Sequence, residues 1–570
     1  MSSKCKNCGG PIRPGAIKCI YCGNPLPVEE ERPQASGAPV NDPTPIFTSW
    51  FNNQTATAVP TAPTTPTNSG KDVGYNVFAD ANWQSIWTDR RKKSKNLGII
   101  LTDTRELKER GRFIESLKGY IEKKAKANID YCLLDLASQK VAGITTPTCE
   151  KLVSLLDTIY SVEVPDYLLI VGDYSVIPCA EWDNECGDSD ETVLSDLAYV
   201  TLDTDSPWEG GVYVFDGLTQ VGRIPTCAKS NFDEARIYFD NTAGFKPYKN
   251  AKAFAYSALE WEKTSRVEFT PVSPDLITSP KYTSDPATAL KRGYTTIKSI
   301  DDKYNLLCFN LHGSDASHAW YGQDDRIYPE AVRKSLFPTK TDGYVICTEA
   351  CYGARPIINV GKEYSIVNYT LTNKCIAFVG STKIAYGQAN GAMSAADIIA
   401  GTFTDSVAKG ITVGQAFLLS LDKLLDGPMS EVAIKTLAEF ALYGDPSVTL
   451  VENKGAKTYS SAKNLSKSTK KKDSSRAFKL VSLDGGSGMS NYSTADHAKA
   501  QMVAYSVRVN GQNYMATNFS AMAGIEPKVF KLLGGNGYRA IYSKVEDGIK
   551  TVVRVHTDEN GNVDAVYTSK

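Results

Sequence analysis

From residue 76 onward, short apolar runs alternate with longer amphipathic stretches. Asn96–Thr102, Asp130–Asp135 and Asp166–Val171 are brief and rich in branched residues, and they predict buried strands. Between the first two, Arg105–Lys126 places Leu107, Phe113, Ile114, Leu117 and Ile121 at helical spacing, and 148–162 predicts a second helix. A second set of runs, at 253–256, 306–311, 344–347 and 376–379, predicts further strands. Helices are expected near 229–242, 362–372, 394–409, 413–426 and 430–441. Strand–helix alternation implies right-handed crossovers and a parallel sheet. The expected class is α/β, a mostly parallel sheet flanked by helices, in two consecutive portions at 76–245 and 246–452.

The pattern changes at both ends. Residues 26–75 are rich in Pro, Thr and Ser and predict a disordered tether, and 453–475 is a linker rich in Lys and Ser. Residues 476–570 predict a small α+β module that binds rather than catalyses. Val507–Val509 and Tyr514–Ala516 flank Asn510-Gly511 and predict a hairpin, as do Ala540–Ser543 and Lys550–Val555 around Glu546-Asp547-Gly548. A helix is expected over 494–504.

Residues 1–25 carry Cys5-x-x-Cys8 and Cys19-x-x-Cys22, each pair followed by glycine. Two such knuckles supply four thiolates for a tetrahedral Zn²⁺ with no open position, so the metal is structural. The segment resembles the small zinc ribbons at the head of bacterial regulatory proteins, and docking to a protein partner is its expected purpose.

Net charge is −1, which gives no electrostatic case for nucleic acid or an anionic membrane as the main partner. No apolar run is long enough to span a bilayer, and no apolar signal core follows Met1. The 13 cysteines are two knuckles plus scattered thiols, a usage suited to a reducing compartment, so the expected location is the cytoplasm.

The chemistry concentrates between Tyr304 and Pro356. One predicted strand runs into His312-Gly313 and the other into Cys351-Tyr-Gly353. Neighbouring parallel strands would bring an imidazole and a thiol to one rim, the minimum equipment of a cysteine nucleophile with its base. His318 is the alternative base, in a longer loop. Cys308, Cys347 and Cys375 read as packed thiols, and Glu349 receives no role.

Further motifs occur in order: Leu168–Asp173 with Ile177-Pro178, Ser195–Tyr199, Val221–Pro225, Asn310–Ser314 with Trp320, Thr348–Gly353, Ala377–Thr382 and Tyr443–Pro446. Together they resemble the gingipain family of cysteine peptidases, over roughly 95–450. The resemblance implies a caspase-like fold and an acyl-enzyme mechanism with Cys351 as nucleophile and His312 as acid and base. It also implies backbone amides of Gly313 and Cys351 as oxyanion donors and a basic residue, Arg or Lys, before the scissile bond. Asp196 lies in the stretch matching the acidic pocket floor; capping of a turn or helix is the other reading. The acidic cluster Asp183, Glu185, Asp188, Asp190 and Glu191 reads as a solvated loop, with Ca²⁺ binding as the alternative. The ribbon and absent secretion signals point to regulated action on protein substrates inside the cell. A silent scaffold binding partners through its ribbon and C-terminal module is the competing expectation, and a nucleic-acid protein is a third.

Overall fold

The structure, a computed structural model, describes residues 74–570 except 281–296, 357–364, 456–470, 473–478, 484–502 and breaks of one to three residues. The ribbon cysteines Cys5, Cys8, Cys19 and Cys22 and nearly all of the 26–75 tether lie outside the described residues, as do most of the helix expected over 494–504 and much of the 453–475 linker.

In chain order the strands that matter are β1 (Leu97–Thr102), β2 (Asp130–Asp135), β3 (Tyr167–Val171), β4 (Gln220–Ile224), β5 (Ala253–Ala258), β6 (Asp275–Ser279), β7 (Leu306–Asn310), β8 (Tyr344–Thr348), β9 (Cys375–Ser381), β10 (Tyr386–Gly387), β11 (Phe440–Gly444), β12 (Lys479–Ser482), β13 (Lys528–Leu533), β14 (Tyr538–Glu546), β15 (Ile549–Thr557) and β16 (Val563–Ser569). Ten of them form one sheet in the order β2-β1-β3-β4-β11-β9-β8-β7-β5-β6. Both predicted portions of the body therefore share a single sheet. All its pairings are parallel except β9 with β11. Because β11 runs with β4 and against β9, the two half-sheets point in opposite directions.

Successive side chains of a strand go to opposite faces, and here both faces are covered. Leu97, Ile99 and Leu101 enter one core with the helices Cys149–Tyr160, Ala396–Ala408 and Val413–Leu425. Ile100 enters the other, with Arg110–Lys126, Asp233–Thr242 and Ile366–Thr372. This double burial is why the strands read as continuous apolar runs rather than alternating ones. No helix among the described residues is long and apolar enough to cross a membrane.

Several expectations need correction. Of the Val221–Pro225 motif, Val221–Ile224 lie in strand β4, where the polar Arg223 is buried. The helix expected to reach residue 441 ends at Glu439, where β11 begins. Its start is set by Ser430, whose hydroxyl accepts the amide of Ala433 at 3.2 Å, a cap worth about 1 kcal/mol. β6 was not expected at all.

In the last module, 506–515 is helical, so Asn510-Gly511 does not turn a hairpin. Val507 and Met515 instead pack beneath the sheet, where helical spacing puts both on one face. The second hairpin is present as β14 and β15. The module's sheet has the order β10-β16-β15-β14-β13-β12, so its outermost strand, β10, belongs to the body. Within the linker, Lys471–Lys472 pairs antiparallel with Val212–Tyr213.

Candidate active site

Strands β7 and β8 are parallel neighbours, with Phe309 opposite Thr348. His312 follows the end of β7 and Cys351 the end of β8, so both lie on one rim. Both are buried. His312 is held by backbone bonds in both directions with Tyr321, at 2.9 and 2.8 Å. Its ring packs against Trp261, with centroids 4.3 Å apart. Its Nε2 lies 2.6 Å from Gln323 Oε1, while the Gln323 amide donates to the Tyr328 hydroxyl. That orientation puts the ring proton on Nε2 and leaves Nδ1 as a lone pair, and Nδ1 has no hydrogen-bond partner among the described residues. Burial lowers the His312 pKa to about 4, against the Gln323 hydrogen bond, so the imidazole is neutral here. His318 sits half-buried on the bend that follows.

Cys351 Sγ faces the Ala385 carbonyl at 3.6 Å, and burial pushes its thiol pKa up. The next residue, Tyr352, has φ 57°, an uncommon value for a bulky side chain. It is held by its amide on Lys383 O at 2.8 Å and its hydroxyl on Asp190 at 2.7 Å. Such over-determined strain is frequent at functional turns. Gly313 packs directly on the Cys351 backbone; a Cβ there would meet Cys351 O at 1.8 Å.

The rim is filled by strand β16 and the residue that follows it. Strand β16 pairs antiparallel with β10, Ser569 opposite Tyr386 and Thr568 opposite Gly387. The Lys570 amide donates to Ala385 O at 3.0 Å, and its carbonyl oxygen accepts from Cys351 N at 3.0 Å and Gly313 N at 3.4 Å. The Lys570 side chain is buried in a pocket of three carboxylates, Glu268, Glu349 and Asp397, whose ligand oxygens lie within 4.8 Å of one another. Its ammonium is 3.0 Å from Asp397, 3.7 Å from Glu349 and 3.0 Å from Asn310 Oδ1. It also stands 4.4 Å above the Trp261 ring. Burial works against the Lys570 charge, but Asp397, Glu349 and Glu268 outweigh it and raise the pKa. Burial raises Glu268 and Glu349 well above the usual carboxylate range, with mutual repulsion adding to it at Glu268. Gly387 is required here, since a Cβ would fall 2.3 Å from Lys570 Cε.

Asp196, expected as a pocket floor or as a cap, stands at the N-cap position of the short helix Leu197–Thr201, where its side chain makes no capping hydrogen bond. It forms a two-pronged ion pair with the buried Arg223, at 2.6 and 2.7 Å, and Arg223 also donates to the carbonyls of Gly172 and Ile177. Its stretch Ser195–Tyr199 is thus a brace for β4. The acidic cluster is divided. Asp183 and Glu191 are exposed, but Asp188 and Asp190 hold the buried Lys435 ammonium at 2.7 and 2.8 Å. Lys435 supplies the positive charge at the place weighed for calcium, and Asp190 stays ionised, its pKa near 2, because Lys435 outweighs burial.

The sequence reading missed the carboxylate pocket. Glu268 ends the short helix Glu262–Glu268, Glu349 follows β8, and Asp397 opens Ala396–Ala408. Only the apolar surroundings of Glu349 hinted at burial.

The family model for Peptidase family C25 matches residues 90–451. Among solved structures, the Arg-specific cysteine proteinase gingipain R (RGPB) is similar at 12% identity, TM-score 0.43, covering 84% of this chain and 92% of that one. A structure described only as a protease is similar at 12% identity, TM-score 0.41, covering 84% and 91%. No curated protein matches.

Proposed function

Because this chain belongs to peptidase family C25 and is a cysteine-type peptidase acting on proteins or peptides, we propose that it hydrolyses peptide bonds after lysine with Cys351 and His312 as its dyad. The observation that carries this reading is Lys570. A lysine carbonyl rests between the amides of Cys351 and Gly313 while its ammonium fills a buried acidic pocket. Read as the residue before a scissile bond, it puts the carbonyl carbon beside Cys351.

The chemistry follows from that placement. Cys351 gives its proton to His312 and attacks the carbonyl carbon; the C–S bond forms as the carbonyl π pair moves to oxygen. Amides aimed at that oxygen stabilise the charge that develops there. His312 then returns the proton to the leaving amine as the C–N bond breaks. Water, deprotonated by the same imidazole, hydrolyses the thioester. Nδ1, bare in the tautomer fixed by Gln323, is the atom suited to take the thiol proton.

The carboxylate pocket selects a basic side chain, because three buried acids left unpaired are costly. A compact ammonium matches a ring of single oxygens and one amide oxygen, whereas a planar guanidinium prefers a two-pronged partner. Lysine is therefore favoured over arginine.

An intracellular, regulated role belongs to the same proposal. Its support is the nine free, buried cysteines of the described residues, and the proposal includes Zn²⁺ held by Cys5, Cys8, Cys19 and Cys22 in a segment that docks a protein partner.

Turnover of lysyl, arginyl and leucyl fluorogenic peptides by the full chain and by Lys570→Ala, beside Cys351→Ala and His312→Ala, tests the reading. Lysyl turnover lost in both dyad variants supports it. Absence of Cys351-dependent cleavage from every preparation would refute it.

A further inference from the structure

The segment that occupies the rim is covalently part of the enzyme and attached to a module with its own core. We propose that the module built on strands β12–β16 is an intramolecular inhibitor whose strand β16 and Lys570 hold the substrate groove against incoming peptides. The proposal rests on the lysine-directed reading above and names the first ligand of that site.

Three observations carry it. First, the contact has the form of peptide recognition by strand addition, in which backbone pairing supplies affinity and a pocket supplies specificity. β16 pairs with β10, and the next residue places its backbone and its side chain in separate, matching subsites. Second, the module is fastened to the body away from the pocket. Arg539 Nε and Arg554 Nη2 both reach Glu431 Oε1, at 2.8 and 3.0 Å, with His556 Nε2 at 3.2 Å. Arg554 also donates to the Cys186 carbonyl. These groups are buried, where an ion pair breaks only at considerable cost. Third, module residues Ile541 and Val552 join Cys351, Ile384, Tyr386 and Val432 in one apolar cluster. The module thus shares a packed apolar cluster with Cys351.

Tethering makes this block effective. A weak peptide ligand attached in cis acts at a high effective concentration, so substrates in solution must compete against it. Activation then requires withdrawal of β16, by a partner that takes the module or by a cut within it.

The test compares wild type, Lys570→Ala, and a chain ending at Asn562. Two rates are read: alkylation of Cys351 by iodoacetamide, followed by mass spectrometry of its peptide, and kcat/KM on a lysyl fluorogenic peptide. Both are expected to rise at least about tenfold in both variants. The synthetic peptide Val-Asp-Ala-Val-Tyr-Thr-Ser-Lys should restore inhibition of the shortened chain, competitively with substrate. Faster alkylation without turnover would uphold the inhibitor and refute the peptidase. Turnover of wild type equal to both variants, with alkylation unchanged within about twofold, would uphold the peptidase and overturn the inhibitor. Lys570→Ala keeps β16 and its strand pairing, so it decides the case even if the shortened chain fails to fold.

Discussion

The carbonyl oxygen of Lys570 lies 3.0 Å from the amide nitrogen of Cys351, and the amide of Gly313 reaches the same oxygen at 3.4 Å. Two amides on one oxygen can serve a developing oxyanion only if Gly313 stays close to Cys351. A Cβ at 313 would overlap Cys351 O and force the two loops apart. Gly313→Ala should lower kcat about 10²–10³-fold, the usual cost of a lost oxyanion donor. Steady-state kinetics on a lysyl peptide check this, with circular dichroism confirming the fold.

On the proposed lysine-directed reading, the carboxylate pocket separates charge recognition from catalysis. Asp397→Asn keeps an acceptor for the amides of Gln388 and Ser394, which Asp397 holds at 2.9 and 3.0 Å, but removes the closest negative charge to the ammonium. Its kcat/KM on lysyl substrates should fall about 10–100-fold, as expected for losing one side of a desolvated charge pair. The value on an uncharged norleucyl substrate should change less than threefold or so. A parallel loss on both substrates would show that Asp397 shapes the pocket rather than reading charge.

Asp196 should behave as a structural residue. Arg223 is wholly buried, and Asp196 is its carboxylate partner. Asp196→Ala leaves that guanidinium uncompensated and should destabilise the protein by about 3–5 kcal/mol. Thermal unfolding reads the loss. The proposed lysine preference should be unchanged in the protein that remains folded, and a shift toward another residue would return Asp196 to the pocket.

The fastening at Glu431 carries a pH signature. Burial, against the pull of Glu431, lowers His556 from its ordinary 6.5 to about 4. Below pH 6.5 the unfolded chain binds a proton at this ring that the folded chain refuses until about pH 4. The stability contributed by His556 is therefore intact above 6.5 and lost progressively as pH falls toward 4. His556→Gln should lose less stability than wild type between pH 7 and pH 4.5. Urea midpoints at both pH values test this, and equal slopes would exclude His556.

Cys5, Cys8, Cys19 and Cys22 are proposed to hold Zn²⁺. Purified protein should carry one zinc per chain, and Cys5→Ser with Cys8→Ser should remove it without affecting lysyl turnover. Elemental analysis beside the kinetic assay decides both halves.

What was legible in the sequence followed burial. β1, β2, β3, β7, β8 and β9 were readable because both their faces are covered, leaving unbroken apolar runs. β4 was not, since Gln220, Gly222 and Arg223 interrupt its pattern and are accommodated by partners distant in sequence. β11 was hidden because it follows its helix directly, Phe440 coming straight after Glu439 with no Gly or Pro to mark the junction. His312 and Cys351 stood out as polar ends of apolar strands. Glu268 and Asp397 did not, because their convergence depends on where two unrelated helices dock. Lys570 carried no local pattern at all; its place is set by the pairing of β16 with β10.

Strand β11 links the two half-sheets, and Asp445 just after it gathers the hydroxyl of Tyr131 at 2.6 Å and the ammonium of Lys124 at 2.7 Å. Until residues 440–444 arrive, β1–β4 and β5–β9 are separate sheets with open inner edges at β4 and β9. The central seam thus closes through contacts of long sequence separation, an arrangement that slows folding. The two exposed edges are sites for pairing between chains during that interval. Refolding should therefore be slow and sensitive to protein concentration, with aggregation at the seam competing against insertion of this one strand.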